Sequence, residues 1–166
     1  GEAGLGLRAT FVFMRPQASA LDHATGRAPD FAVPGPDTPT DKGLAAVPFT
    51  QNFESVDRRD EAVGSGEWLR WTRLREREGL DPAVELMAIG DALPPAALKL
   101  LGGFAPVSSM TWQINLLGTP ATADGWWLLN AATDYARDGS SSQRMMVWNA
   151  GGAPVAEHIQ SVAVFG

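Results

Sequence analysis

Residues 125–165, GWWLLNAATDYARDGSSSQRMMVWNAGGAPVAEHIQSVAVF, decide the fold, because strand-like stretches alternate there with turn residues. Apolar and polar residues alternate as they do in β-strands with one buried face, which predicts strands over 125–136, 144–149 and 155–165. The residues at 149–152 favour a tight hairpin between the last two. Together with a further strand predicted over 107–117, this half of the chain is expected to be an antiparallel meander.

A helix is predicted upstream of this meander. Asp81 is a good N-cap and Pro82 is favoured at the first helical position, with Val84, Met87 and Ala88 following at helical spacing. Pro94 disfavours helix in the residue before it, and a second helical turn is predicted over 96–101.

Two strands are predicted before the helix, over 49–56 and 67–75, with a glycine-rich turn between them. The order is then two strands, one helix and four strands. This order does not fit a parallel βαβ sheet. It predicts an α+β fold, in which one antiparallel β-sheet wraps around a central α-helix.

The beginning of the chain differs in composition. Residues 7–14 (LRATFVFM) are β-branched and aromatic and predict a strand, whereas residues 17–48 are rich in proline, glycine and polar residues. The latter composition buries little apolar area and is typical of a linker or a long meandering connection. The predicted first strand therefore needs a sheet, either the later domain's or that of a partner.

The bulk composition excludes several functions. The 166 residues carry a formal net charge of −6, which argues against nucleic-acid binding. With no cysteine and two histidines, neither a disulfide nor a thiolate nucleophile is possible, and neither a metal site nor a cofactor is expected. No apolar run approaches the ~18 residues of a membrane span. The absence of cysteine fits a cytoplasmic location.

The run DGWWLLNAATDYARDGSSSQRMMVWNAGGAPVAEHIQSVAVFG (124–166) resembles the C-terminal end of the thioesterase-like hotdog superfamily, specifically the type II acyl-CoA thioesterase group. The shared features are a Gly-Trp strand start, a Gly/Ser-rich turn, a strand that ends in Trp before a hairpin, and a last strand that carries Gln. The segment AIGDALPP (88–95) is also similar to that group's central helix.

This resemblance implies a hotdog fold and an acyl-CoA thioesterase of fatty acid metabolism. It implies that residues 1–16 are a remnant or closing strand of a first hotdog domain, that 17–48 are the connector, and that 49–166 are a complete hotdog domain. The implied partners are acyl-CoA and another hotdog domain, in the same chain or in a homo-oligomer. CoA would lie between the two domains, with its phosphates near one of four arginines, Arg70, Arg73, Arg75 or Arg144.

The family's catalytic pattern is one water shared by a helix Asp, a Thr or Ser on the next strand, and a Gln on the last strand. The resemblance assigns these roles to Asp91, Thr111 and Gln160, with Ser109 as an alternative to Thr111. Asp91 ends an apolar helix, where burial would raise its pKa as a general base requires; the other interpretation is a cap of the helix end. Gln160 faces the same side as His158, and needs a partner whether or not it is catalytic.

Three alternatives remain open from the sequence. Ser109 and Thr111 lie two residues apart and are expected on one strand face, although a one-residue slip would separate them. Asp134 and Tyr135 are further binding candidates, with an ordinary strand end as the other interpretation. The competing functions are a non-catalytic acyl-CoA-binding or structural hotdog subunit, and a hotdog dehydratase that would use His158.

Overall fold

The computed structural model describes residues 6–15, 17–103 and 105–165. Its strands are β1 (Phe53–Asp57), β2 (Glu67–Leu74), β3 (Val107–Leu116), β4 (Trp127–Arg137), β5 (Ser140–Asn149) and β6 (Pro154–Val164). They form one sheet in the order β1-β2-β4-β5-β6-β3, and every neighbouring pair is antiparallel. The expected four-strand meander is wrong for its first strand: β4, β5 and β6 are consecutive neighbours, but β3 pairs with β6 and lies at the sheet edge, because the chain crosses over between β3 and β4.

One face of the sheet, called here the helix face, packs against helix α1 (Pro82–Gly90). The side chain of Asp81 accepts a hydrogen bond from Ala83 N at 2.8 Å, which confirms the predicted N-cap. Leu86 and Ile89 are fully buried against the sheet. The predicted α+β architecture of an antiparallel sheet around one helix is thus confirmed.

The buried side of α1 differs from the predicted one. Val84 was expected to face the core with Met87 and Ala88, but its side chain is 56% exposed. The buried side instead carries Leu86 and Ile89, about half a turn around the helix from the mean direction of the predicted set. Only Ala88 of that set packs partly against the core. Short helices carry too few apolar positions for the sequence to fix the buried side.

The opposite side of the sheet, called here the outer face, is covered in part by residues 26–31. Trp71 Nε1 donates to Phe31 O at 3.1 Å, and Trp148 Nε1 donates to Gly26 O at 2.7 Å. The rings of Phe31 and Trp71 lie 6.4 Å apart. This part of the predicted linker is therefore docked on the sheet, because two tryptophans offer both apolar area and N–H donors to its backbone.

Two predicted strands differ at the beginning of the chain. Residues 7–14 form no strand, and large side chains such as Val12 and Phe13 are about nine-tenths exposed. A strand needs a neighbour to pair with, and none of the described residues pairs with this segment. The strand predicted from residue 49 begins at Phe53, since a 3-10 helix (Pro48–Asn52) precedes it.

The remaining elements agree closely with prediction. A second 3-10 helix (Ala96–Leu100) follows α1, and β5 begins four residues earlier than expected, at Ser140. The β4–β5 turn consists of Asp138 and Gly139, both with positive φ, so that the serines after it join the strand. Of the helices that the structure describes, none has the length and hydrophobicity that a bilayer crossing requires.

Candidate active site

A chain of side-chain hydrogen bonds crosses the helix face from β5 to β3. Gln143 Oε1 accepts from Ala96 N at 2.7 Å, and Gln143 Nε2 donates to Gln160 Oε1 at 2.7 Å. Gln160 Nε2 donates in turn to Ser109 Oγ at 2.8 Å. The two glutamines are buried and Ser109 is exposed. This series of hydrogen bonds therefore begins in the core and ends at the surface, where a ligand can reach it.

A β-bulge separates the two hydroxyl residues of β3. Ser109 is in register with Val162, but Thr111 is in register with Ser161. Because Ser161 and Val162 are consecutive strand residues, their side chains point to opposite faces. The expectation that Ser109 and Thr111 share a face is therefore wrong, since the extra residue of the bulge shifts the alternation. Ser109 reaches Gln160, and Thr111 lies on the outer face.

Asp91 follows α1 and lies in a segment that crosses the same part of the helix face. At one end of this segment, a Cβ added to Gly90 would be 3.3 Å from Trp112 Cζ2. Trp112 is in register with Gln160. At the other end, Ala96 donates to the hydrogen-bond chain. The residues on both sides of Asp91 therefore pack against β3, β5 and β6, which carry Ser109, Gln143 and Gln160.

The carboxylate of Asp91 is available to a ligand. Nearby protein atoms displace water from it and raise its pKa above the ordinary carboxyl value, although the residue as a whole is exposed. Only its backbone N–H caps the helix, by donating to Ile89 O. No other described residue hydrogen-bonds its side chain, so the interpretation of the carboxylate as a helix cap finds no support.

His158 lies beside the hydrogen-bond chain and is a neutral imidazole. Its Nδ1 accepts from Trp112 Nε1 at 2.9 Å, so that its proton is on Nε2. Burial lowers the pKa of His158 to about 4. Its Nε2 is buried and has no partner among the described residues. A dehydratase would pair this histidine with a carboxylate, and neither ring nitrogen bonds to one among the described residues, which disfavours that function.

Asp134 and Tyr135 are not brought to this site. Arg144 Nε lies 2.9 Å from Asp134 Oδ2 in an exposed ion pair, and the hydrogen bond from Arg144 lowers the pKa of Asp134. Tyr135 is in register with Ser142, the neighbour of the inward-facing Gln143, and is therefore on the outer face. The geometry favours a structural role for both residues.

The four arginines proposed for CoA phosphates differ in their partners. Three are in ion pairs with carboxylates, namely Arg70 with Asp57, Arg73 with Glu54, and Arg144 with Asp134. Arg75 donates to the backbone oxygen of Gln51 at 3.2 Å. Neutralised guanidinium groups attract an anion less, which leaves Arg75 as the strongest of the four candidates.

Sequence reasoning missed Gln143. The predicted strand began one residue after it, at Arg144, because the serines before it read as part of a turn. Extending the alternation backwards from Met145 and Val147 would have placed Gln143 and Ser141 on the buried face. Within residues 6–15, 17–103 and 105–165, no three His, Asp or Glu side chains come together as a metal site.

An antiparallel six-stranded sheet wrapped around one helix, with polar residues gathered at the end of that helix, defines a hotdog protein. The family model described as the acyl-CoA thioesterase C-terminal domain matches residues 28–164. The chain therefore belongs to that family. The match begins within the predicted connector, inside the segment 26–31 that docks on the outer face.

Solved structures show the same fold. A conserved hotdog protein of unknown function from Alicyclobacillus acidocaldarius has a TM-score of 0.74 at 24% identity, with 90% of this chain and 59% of that chain covered. Acyl-CoA thioesterase II TesB2 from Mycobacterium marinum has a TM-score of 0.56 at 19% identity, with 87% and 60% covered. A hypothetical thioesterase from Streptococcus pneumoniae, solved with coenzyme A, has a TM-score of 0.53 at 13% identity, with 68% and 86% covered.

The chain thus spans about three fifths of the length of the first two of these proteins. At these identities the likeness shows the fold alone. Among curated proteins, the search found no significant match to the chain.

Proposed function

We propose that this chain is a catalytic domain of an acyl-CoA thioesterase, which hydrolyses an acyl-CoA thioester to a fatty acid and CoA. The family membership supports the substrate class. The observation that carries the proposal is the hydrogen-bond chain from the core to Ser109, with the unbonded carboxylate of Asp91 in the segment above it. Thioester hydrolysis needs an oriented water and a base, and this site offers polar groups that can orient a water and a carboxylate that can act as the base.

In the proposed mechanism, Asp91 accepts a proton from a water molecule that Ser109 and Gln160 hold. The water oxygen attacks the thioester carbonyl carbon to form a tetrahedral intermediate. Its collapse breaks the carbon–sulfur bond, and the proton on Asp91 passes to the CoA sulfur. The products are the carboxylic acid and the free thiol. A raised pKa suits Asp91 to this role, since a stronger base takes the proton of water more readily.

Ser109 replaces Thr111 as the proposed hydroxyl. Its Oγ accepts from Gln160, so its own proton is free for water or for a carboxylate. Thr111 is on the outer face, and a catalytic role would require β3 to change register. Thr111 therefore remains only as the residue against which Ser109 is tested.

The test is thiol release from medium- and long-chain acyl-CoA, measured with a thiol reagent. Because it removes the base, Asp91→Asn is expected to lower kcat by ~10²-fold or more. Asp22→Asn, an exposed aspartate near the beginning of the chain, is the matched control and should leave kcat unchanged. Equal rates for Asp91→Asn and the parent protein would remove Asp91 from the mechanism.

The alternative is a non-catalytic acyl-CoA-binding or structural hotdog subunit. Calorimetric titration with a non-hydrolysable acyl-CoA thioether separates the two functions. Binding without any thiol release from the matching thioester would support the alternative, whereas turnover that requires Asp91 would exclude it.

We also propose that a second hotdog domain covers β3, either in the same protein or in a homo-oligomer. Nearly all residues of this edge strand are exposed, including Ser109, and uncovered strand edges are normally protected.

Sedimentation equilibrium tests this association, together with hydrogen exchange of the β3 amides at several protein concentrations. Association through β3 should slow the exchange of its outward amides as the mass doubles. A monomer at all concentrations would contradict a homo-oligomer and leave only a partner domain in the same protein.

A further inference from the structure

Gln143 occupies an unusual place for a long polar side chain. It is 2% exposed and its amide lies between the backbone N–H of Ala96 and the side chain of Gln160. Its Nε2 also lies 3.4 Å from the sulfur of Met145. Glutamine is seldom buried to this degree, because each polar atom must then find a partner inside the protein.

The direction of these hydrogen bonds follows from Ala96 alone. A backbone N–H can only donate, so the atom of Gln143 that faces Ala96 must be the oxygen. The other atom of the amide is then the NH2 group, and Gln160 must turn its oxygen towards it. The NH2 group of Gln160 consequently faces Ser109. Neither amide can be reversed without leaving two donors or two acceptors in contact.

We propose that Gln143 is a positioning residue, which holds the amide of Gln160 in the one orientation that directs its NH2 group towards Ser109. This inference rests on the proposed function, in which Gln160 and Ser109 hold the attacking water. With Gln143 in place, Ser109 Oγ accepts from Gln160 and its proton points to the site. If the side-chain amide of Gln160 were reversed, the hydroxyl group of Ser109 would donate its hydrogen bond to the Gln160 oxygen and could no longer donate to water.

Gln143→Glu tests this directly, because the ionisation of the introduced carboxyl group reverses the direction of the chain. A protonated carboxyl accepts from Ala96 and donates to Gln160, as the native amide does. An ionised carboxylate accepts on both oxygens, so Gln160 must turn its NH2 group towards it. Burial raises the pKa of a carboxyl by up to ~3–5 units, which places the reversal within the working pH range of an assay.

We expect kcat of Gln143→Glu to follow the parent protein at low pH and to fall by ~10-fold or more as the carboxyl group ionises. KM should change much less, because the water and not the acyl chain is displaced. The kcat of Gln143→Met should be low at every pH, without the additional decrease that ionisation causes in Gln143→Glu. Gln17→Glu, which adds the same group at an exposed position near the beginning of the chain, is the control and should keep the parent profile. Parallel pH profiles for Gln143→Glu and the parent protein would overturn the proposal.

A second readout does not depend on activity. In NMR spectra, the side-chain NH2 signals of Gln160 should exchange slowly in the parent protein. In Gln143→Glu they should shift with the same midpoint as the loss of kcat. If the parent protein releases no thiol, the thioesterase proposal fails, and these signals still decide the positioning role. Gln160 signals that do not respond to pH in Gln143→Glu would refute that role.

Discussion

At the scale of single residues, the polar side chains of the helix face determine what this domain can do. Gln143, His158 and Gln160 all point from β5 and β6 towards the helical segment, in positions that apolar residues hold elsewhere in the sheet. Buried polar groups lower stability unless they are paired, so a set of three is expected to serve a purpose beyond folding.

His158 should make folding dependent on pH. The folded protein keeps the imidazole neutral down to about pH 4, against an ordinary pKa of 6.5, so the unfolded chain binds more protons between these values. The contribution of His158 to the free energy of unfolding is therefore fully present above pH 6.5. It decreases by about 3 kcal/mol as the pH falls towards 4. Urea unfolding at several pH values should show this loss in the parent protein and not in His158→Gln. His23→Gln, at an exposed histidine, should retain it.

The two hydroxyl residues of β3 offer a second comparison. Ser109→Ala is expected to lower kcat by ~10- to 10²-fold, because Gln160 loses its acceptor and the water loses a donor. Thr111→Val should change kcat by less than about two-fold, since its side chain is on the outer face. Thiol release by the two variants is the measurement. A larger loss in Thr111→Val would mean that β3 changes register when substrate binds.

At the scale of elements, the approach of α1 to the sheet decides whether the site forms. Gly90 packs closely against the sheet, as an added Cβ would lie 3.3 Å from both Trp112 and Ile114. The next residue is Asp91, so any displacement of the helix end also displaces the proposed base. Close packing at one glycine thus couples the stability of the domain to the geometry of the site.

Gly90→Ala should therefore lower both stability and activity. Overpacking of this kind costs about 1–3 kcal/mol, and kcat should fall by ~10-fold or more, since small misplacements of catalytic groups are costly. Gly102→Ala is the matched control, because nothing lies within 4 Å of its added Cβ. Urea unfolding and thiol release would be measured for both variants. An active and stable Gly90→Ala protein would show that α1 can move without affecting Asp91.

At the scale of the whole molecule, both faces of the sheet are used. The helix face holds the core around α1 and the proposed site, while the outer face holds a second apolar cluster, with Trp71 and Trp148 beneath residues 26–31. The family match from residue 28 includes most of this docked segment. We infer that the segment belongs to the folded unit, although its composition alone is typical of a linker.

Phe31→Ala should show how firmly the segment is docked. Phe31 is partly buried against Trp71, so its truncation is expected to lower the free energy of unfolding by about 2 kcal/mol, less than for a fully buried ring. Val33→Ala, at a position that is 43% exposed, should cost less than about 0.5 kcal/mol. Thermal or urea unfolding checks both values. Equal losses in the two variants would mean that the segment adds little to stability.

The sequence by itself determined the order of elements, the cap at Asp81, the antiparallel sheet and the placement of Gln160 on a buried face. These features depend on local alternation, turn residues and capping, which can be recognised from a few neighbouring residues of the sequence. The family resemblance added Asp91 as a candidate base. The pairing of distant strands did not follow from the element order, since the expected meander would place β3 beside β4, whereas β3 pairs with β6.

Only the tertiary structure decided which hydroxyl of β3 meets Gln160, that Gln143 belongs to the same hydrogen-bond chain, and that residues 26–31 dock on the outer face. A bulge depends on how two strands distant in sequence fit together, and the alternation within one strand does not record it. The partners of a buried amide or of a tryptophan N–H likewise come from segments 17 to 122 residues away, where no local pattern reaches.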